Sequence, residues 1–381
     1  MKILIDTTSL TKGGGQKVGW NFVSCILEHP QPGMEFAFFC ANGSIIHESL
    51  REKGVKDVYV SPDHTIKRIF WQIVQAPRIL SRIKPDVIYC IFGSCIYPRK
   101  YCQVCGEAAS NLFFPEIDFW CELPRWKKVL KKGKDRYRIS MLKRADGIIF
   151  ENESMLKRCA DLYPDVFRRS CFIKPAIRKS EDSATGSSGG SKTAGTPSVL
   201  MLCSWQPNKN YAVMPAVIRK LKDSGFPIRF RFSVSPDAAN SEAVRFQKLL
   251  SRYSAEDSVD YLGTVPPDKI PETYAGSDAV LLLSKLESFS NSIIEAWRYQ
   301  IPLIVRDMEW SRSIVKDAGY YVDRDDPDQI AHAIRIVCSD EAVRKKIIEN
   351  GTKELETYPD IPLHVQSVLS FLQRIRNDLK P

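Results

Sequence analysis

Two carboxylates, Glu287 and Glu295, bracket the small polar residues Ser288, Ser290 and Asn291 in the stretch SKLESFSNSIIE, Ser284–Glu295. Their separation is about two turns of a helix with 3.6 residues per turn. Small polar residues suit a loop that opens a helix. The start of a helix offers unpaired backbone N–H groups to an anion, and carboxylates accept hydrogen bonds from hydroxyl groups. A ligand that is both phosphorylated and rich in hydroxyls, as a nucleotide sugar is, would use both halves. Lys209 and Asn210 stand earlier in the chain, just after a predicted strand. A third candidate is the run Gly13, Gly14 and Gly15. A glycine loop between a strand and a helix lets backbone approach a phosphate. Here the spacing is not GxGxxG, and the loop lacks the GK[ST] ending of a P-loop.

These residues need strands and helices to hold them. Lys2–Asp6 predicts a first buried strand, with Asp6 as a structural acid at its end, and residues 18–27 have helical spacing. Further short strands are predicted at 35–40, 57–61, 86–91, 102–105, 147–150 and 171–174, with helical stretches such as 66–83 between them. After residue 198 the pattern resumes. Strands are predicted at 199–203, 229–233, 259–262, 279–283, 302–305 and 320–322, and helices at 211–221, 243–251, 327–338, 341–355 and 362–379. Alternating strand and helix implies an α/β chain with parallel, doubly wound sheets. Between the halves, Lys179–Ser198 contains no aromatic or branched aliphatic residue and is rich in Ser, Gly and Thr, the composition of a flexible linker. The predicted division is therefore a domain over 1–178, a linker over 179–198, a second domain over 199–358 and a terminal helix within 359–381. That helix is expected to pack back on the first domain.

At 381 residues the chain is too long for one ordinary core. Its 44% hydrophobic and 26% charged content is that of a soluble globular protein. No run approaches the roughly 18 apolar residues of a membrane span. Met1–Asp6 reads as a strand rather than a secretory signal, so the eleven cysteines are expected as reduced thiols in a cytoplasm. Cys102 and Cys105 form a lone CxxC with no second Cys or His pair at zinc-ligand spacing, so no metal is expected.

The net charge of +10 is concentrated. Between Arg125 and Arg144 stand ten basic residues and a single acid, Asp135. Arg125, Trp126, Lys127, Lys128, Lys131, Lys132 and Lys134 lead this segment, and Phe113, Phe114, Phe119 and Trp120 precede it. Cations with aromatic and aliphatic anchors fit a helix lying on an anionic bilayer. A nucleic acid would also attract such a patch. The membrane surface is the expectation, because the paired carboxylates point to sugar chemistry.

The second half also resembles a known family, the retaining family 4 glycosyltransferases of the GT-B fold. The residues that carry the resemblance run in order from Val199 to Asn350: Ser204–Asn210 after a strand, Val259–Val265, Tyr274–Ala279, Glu287–Glu295 as an E-x7-E motif with Phe289 in the usual place, and Ile301–Val305. The resemblance implies two Rossmann-like, doubly wound parallel-sheet domains facing each other across a cleft. It implies that Glu295 holds the ribose hydroxyls and that Glu287 contacts the donor sugar. Ser288 and Phe289 would line the same site. The backbone of Ser290 and Asn291 would face the diphosphate, which Lys209, beside Asn210, would pair with and Gly13–Gly15 would close upon. Ser204 stands where the family has an arginine, so Arg178, Arg306 or another basic residue would have to substitute. Glu107 stands near the place of the family's histidine, as a candidate polar group near the sugar or acceptor. The implied activity is transfer of a sugar with retention from a nucleotide sugar to an acceptor hydroxyl, with no metal or other cofactor. The setting would be bacterial polysaccharide, O-antigen or capsule synthesis. The acceptor would be a glycan carried on a polyprenyl diphosphate, at the inner face of the cytoplasmic membrane. Three other readings stay open at this level: a non-catalytic GT-B scaffold that binds a partner, a nucleotide-sugar epimerase, and a nucleic-acid-binding protein.

Overall fold

The computed structural model describes all residues except 12, 95, 119–123, 179–194, 238, 324 and 380–381. It falls into two compact units. One comprises Met1–Pro115, Leu123–Arg178 and Pro359–Pro381, and the other Lys179–Tyr358 with Glu116–Glu122. Phe119, Trp120 and most of the predicted linker lie outside the described residues.

The first unit is built on seven parallel strands: β1 (Lys2–Thr7), β2 (Glu35–Ala41), β3 (Val58–Ser61), β4 (Val87–Cys90), β5 (Cys102–Glu107), β6 (Gly147–Phe150) and β7 (Ser170–Phe172). Their order in the sheet is β3-β2-β1-β4-β5-β6-β7. Continuous apolar runs such as Ile3–Ile5 and Phe38–Cys40 belong to strands buried on both faces, as parallel sheets require. On one face Ile3, Ile5, Phe38, Tyr89, Val104 and Ile149 join a core with Phe22, Val23 and Ile26 of the helix Gly14–Glu28. The terminal helix Ile361–Asp378 completes that core. It contributes Val365, Val368, Leu369, Phe371, Leu372 and Ile375. Its Arg376 donates to Asp86 Oδ1 at 2.6 Å, while Asp86 Oδ2 accepts the Lys2 N–H at 2.8 Å. These donors hold the Asp86 carboxyl below its ordinary range.

Asp6 is buried at the end of β1. It accepts from the Thr8 amide (2.9 Å), the Thr8 hydroxyl (2.7 Å) and Tyr97 Oη (2.6 Å). Burial pushes its carboxyl up, and the three donors offset part of that.

The second unit is a six-stranded parallel sheet: β8 (Ser198–Met201), β9 (Arg229–Phe232), β10 (Val259–Tyr261), β11 (Ala279–Leu282), β12 (Leu303–Arg306) and β13 (Tyr320–Val322), in the order β10-β9-β8-β11-β12-β13. Val199, Phe230, Phe232, Leu281 and Ile304 form its core with Met214, Val217 and Leu221 of the helix Met214–Asp223. The chain winds outward from β8 to β10, then returns past β8 to begin β11. Loops leaving the carboxyl ends of β8 and β11 therefore run in opposite directions, and a crevice opens between them. In open parallel sheets this is where ligands bind.

Candidate active site

The two loops at that switch point carry most of the residues singled out from the sequence. After β8, Pro207–Lys209 forms one 3-10 turn, and Asn210 ends it in the left-handed region at φ 59°. Asparagine tolerates that conformation better than most residues. The turn is joined to the loop after β11: the Lys285 amide donates to the Asn208 carbonyl (2.8 Å) and Asn208 Nδ2 to the Leu286 carbonyl (3.2 Å). This clamp sets Lys209 against Glu287. Lys209 Nζ donates to Glu287 Oε1 at 2.5 Å, with side chains 18% and 14% exposed. Lysine and glutamate that lie far apart in sequence thus form one ion pair.

Beside the pair lies a second charged group. Asn210 Nδ2 donates to Asp325 Oδ1 at 2.6 Å, Arg306 pairs with the same carboxylate, and Lys285 Nζ stands 3.8 Å from Asp325 Oδ2. Arg306, at the end of β12, is thereby tied through Asp325 to the Lys209 turn. Ser204 is an exposed residue whose carbonyl accepts from Tyr211 Oη at 2.5 Å, and its side chain brings no charge. Lys285 and Asp325 were not visible as site residues in the sequence.

Past Glu287 the chain runs through Ser288 and Phe289, both half-buried, with the Phe289 ring 6.1 Å from that of Tyr358. It then enters the helix Asn291–Arg298. Ser290 is its N-cap in extended conformation, but no side chain caps the helix and no acid stands in its first turn. Its leading N–H groups and the positive end of its dipole are therefore left to an anion from outside. One and a half turns on, Glu295 Oε2 accepts from Tyr274 Oη at 2.9 Å. Tyr274 is fully buried, and burial beside this carboxylate drives its phenol far above the ordinary range, so it stays a donor. Tyr274 thus orients Glu295, a role that its motif position alone did not reveal.

The remaining candidates belong to the first unit. Gly13 is the N-cap of the helix Gly14–Glu28, with φ 72° and ψ −160°, a conformation closed to other residue types. A Cβ at Gly15 would lie 3.3 Å from Leu10 Cδ2. This helix too has no side-chain cap.

Glu107 is the last residue of β5, which runs two residues beyond the predicted strand 102–105. Its carboxylate folds back to accept the Ala109 N–H at 2.5 Å. Burial raises its carboxyl, against the pull of that donor and of Arg138. Phe150 of β6 pairs with Glu107 across the sheet, which places Glu151 beside that strand end. Burial pushes the Glu151 carboxyl up to about 8. Two acids with raised carboxyl pKa values at neighbouring strand ends form a pattern that sequence reasoning missed in Glu151. A glutamate just past a strand carries no signal of its desolvation.

The predicted basic patch is one helix, Arg125–Leu142. Only Met141 and Leu142 are buried in it, and Trp126, Val129, Leu130 and Tyr137 are 54–68% exposed. Among the described residues no group of three or more His, Cys, Asp or Glu could hold a metal ion, and no helix is long and apolar enough to cross a membrane.

Residues 191–354 match the family described as "Glycosyl transferases group 1". The chain is 26% identical over 141 residues to the serotype-specific mannosyltransferase WbdA of Escherichia coli, which covers 37% of this chain and 17% of that protein. It therefore spans about a sixth of that relative's length. It is 27% identical over 111 residues to the O-antigen chain mannosyltransferase B of Escherichia coli, covering 29% of each. In structure it is similar to Anabaena HepE, solved with UDP and glucose, at a TM-score of 0.69 and 15% identity over 98% of this chain and 99% of that one. With the Lys209–Glu287 pair and the uncapped helix both inside the matched residues, the chain has the two Rossmann-like domains of the GT-B fold, and the second of them is similar to the group 1 glycosyl transferases.

Proposed function

We propose that this protein is a retaining glycosyltransferase that moves a sugar from a nucleotide sugar to an acceptor hydroxyl in bacterial polysaccharide synthesis. The observation that carries the proposal is the Lys209–Glu287 pair at the switch point, set beside an uncapped helix start. A diphosphate leaving group gains negative charge as the glycosidic bond stretches. In this reading Lys209 and the N–H groups of Asn291 and Ser292 would stabilise that charge more in the transition state than in the ground state. Glu287, released from its lysine when the diphosphate takes its place, would hold sugar hydroxyls. Glu295, oriented by Tyr274, would hold the ribose. The acceptor oxygen then bonds to the anomeric carbon on the face the diphosphate leaves, and its proton passes to a phosphate oxygen. No further cofactor enters this scheme. Arg306 and Lys285 take the place of the cation that Ser204 does not supply.

The relatives' names support a polysaccharide or O-antigen product. The exposed, cationic helix Arg125–Leu142 supports an acceptor carried on a lipid, polyprenyl diphosphate included, at an anionic membrane surface. Thermal-shift screening with UDP-, GDP-, ADP- and dTDP-sugars tests the donor half of the proposal, because a ligand stabilises by the logarithm of its excess over Kd. One nucleotide series is expected to raise Tm, and incubation with it to yield a product of unchanged anomeric configuration by NMR. No stabilisation and no turnover with any of them would reject the enzyme in favour of a scaffold.

A further inference from the structure

The helical segment 65–75 buries one side and exposes the other. Trp71 is 2% exposed and packs its ring edge-on against Phe39, 4.9 Å away. On the outside, Ile66, Ile69, Phe70 and Ile73 are 72, 49, 57 and 70% exposed. Their i, i+3, i+4, i+7 spacing makes one continuous apolar stripe, the pattern that normally faces a core. A π turn at Trp71–Gln75 follows the helix Thr65–Phe70. From His64 to Pro85 the chain carries Lys67, Arg68, Arg78, Arg82 and Lys84 and no acid.

This stripe shares a sheet face with the basic helix. The connection from β3 to β4 runs across the sheet in the same direction as that from β5 to β6, opposite to β1-β2-β3. Right-handed crossovers therefore place 65–83 and Arg125–Leu142 on one face, away from Gly14–Glu28. The ring contacts agree, since Trp71 packs on Phe39 whereas Phe38 joins the opposite core. The basic helix has eight cations, one acid, and its own exposed Trp126, Val129 and Leu130.

We infer that Ile66, Ile69, Phe70 and Ile73 form a second membrane-insertion element, which with the basic helix seats the first unit on an anionic bilayer at two points. The inference rests on the membrane reading proposed above for the basic helix and extends it to a segment that reading does not use. Charge selects this occupant over a second copy of the chain. Pairing this face with itself would bring two strongly cationic surfaces together, whereas an anionic bilayer neutralises both helices and takes up the apolar side chains.

The test is co-sedimentation of the full chain with phosphatidylcholine vesicles, with and without phosphatidylglycerol. It uses wild type, the fourfold variant Ile66→Ser/Ile69→Ser/Phe70→Ser/Ile73→Ser, the milder Ile66→Ser/Ile73→Ser, and Lys127→Glu/Lys132→Glu/Lys134→Glu. All the replaced side chains are exposed, and thermal melts confirm folding. The stripe variants are expected to partition about tenfold less onto anionic vesicles, with the loss persisting at high salt. The charge variant is expected to lose binding at low salt. Stripe variants that bind like wild type while the charge variant does not would overturn this inference and leave the basic helix as the only anchor. Wild type that ignores anionic vesicles would overturn both. A concentration-dependent dimer in sedimentation equilibrium, abolished by the stripe variants, would assign the face to a second copy instead.

Discussion

Replacing Lys209 and Glu287, singly and together, separates a working ion pair from a structural one. The pair is 2.5 Å long and its side chains are 18% and 14% exposed. Near a protein surface two unit charges in contact attract by about 4 kcal/mol. Desolvation consumes much of that, so removing either partner should cost about 1–3 kcal/mol of stability. The effects on ligand binding differ in sign. Lys209→Ala removes the cation meant for the diphosphate and leaves Glu287 as a bare anion in the same place. Nucleoside diphosphate affinity is expected to fall at least tenfold, and kcat by about 100- to 1,000-fold, the usual effect of deleting one charge-stabilising donor. Glu287→Gln frees Lys209. Affinity for the free nucleoside diphosphate is expected to rise about three- to tenfold, roughly 1 kcal/mol, even as sugar transfer falls because the sugar hydroxyls lose their acceptor. Calorimetric titration with UDP, GDP and ADP measures the first quantity and product formation the second. The double variant closes the cycle. If both single substitutions weaken diphosphate binding alike, the lysine does not serve the diphosphate and the reasoning fails.

Tyr274→Phe keeps the buried ring and removes the hydroxyl that donates to Glu295. A hydrogen bond to a charged group contributes about 1.5–3 kcal/mol, so nucleotide affinity should drop about tenfold, and an unchanged Kd in calorimetry would show that Glu295 needs no orientation. Glu151 retains its proton up to about pH 8 in the folded chain but ionises near 4.5 when unfolded. Between those values the folded state holds the extra proton, so stability is fully present below the unfolded pKa and is lost as pH rises through the folded one. Denaturant melts from pH 5 to 8.5 should show a decline of order a few kcal/mol, and Glu151→Gln should flatten it; a variant with the wild-type slope would trace the decline to other groups. Truncation after Tyr358 removes six buried apolar side chains and the Arg376–Asp86 bond. At about 1.5–3 kcal/mol each these approach the whole stability of a domain, so calorimetry should show the first unit's transition gone and the second's intact.

Much of this was legible in the sequence, because the governing signals are local. Apolar runs such as Ala279–Leu283 found their strands, and the step from strand to small polar residues to Ile293-Ile294 found the helix that follows Ser290. The carboxylates and Lys209 were legible as types at a spacing. Their pairing was not, because Lys209 and Glu287 meet only once β8 and β11 lie side by side, and strand order is not written in either strand. Asp325 and Lys285 were hidden for the same reason. Glu151 escaped because its chemistry lies in its surroundings. The segment 66–83 was read as an ordinary helix. Its apolar residues fall on two sides, and periodicity cannot say that Trp71, Ala76, Leu80 and Ile83 turn inward while Ile66 and Ile73 turn out.

The return of the helix Ile361–Asp378 to the first unit has a consequence for the order of events during synthesis. The second unit is contiguous apart from a short segment, and it can collapse as soon as Tyr358 leaves the ribosome. The first unit, although made earlier, must wait with one face of its sheet only partly covered by Gly14–Glu28 until Ile361–Asp378 emerges. Domains usually mature from the amino end. Here the half made earlier is the one more exposed to aggregation and to chaperones, because its core is completed only after Ile361–Asp378 has been made.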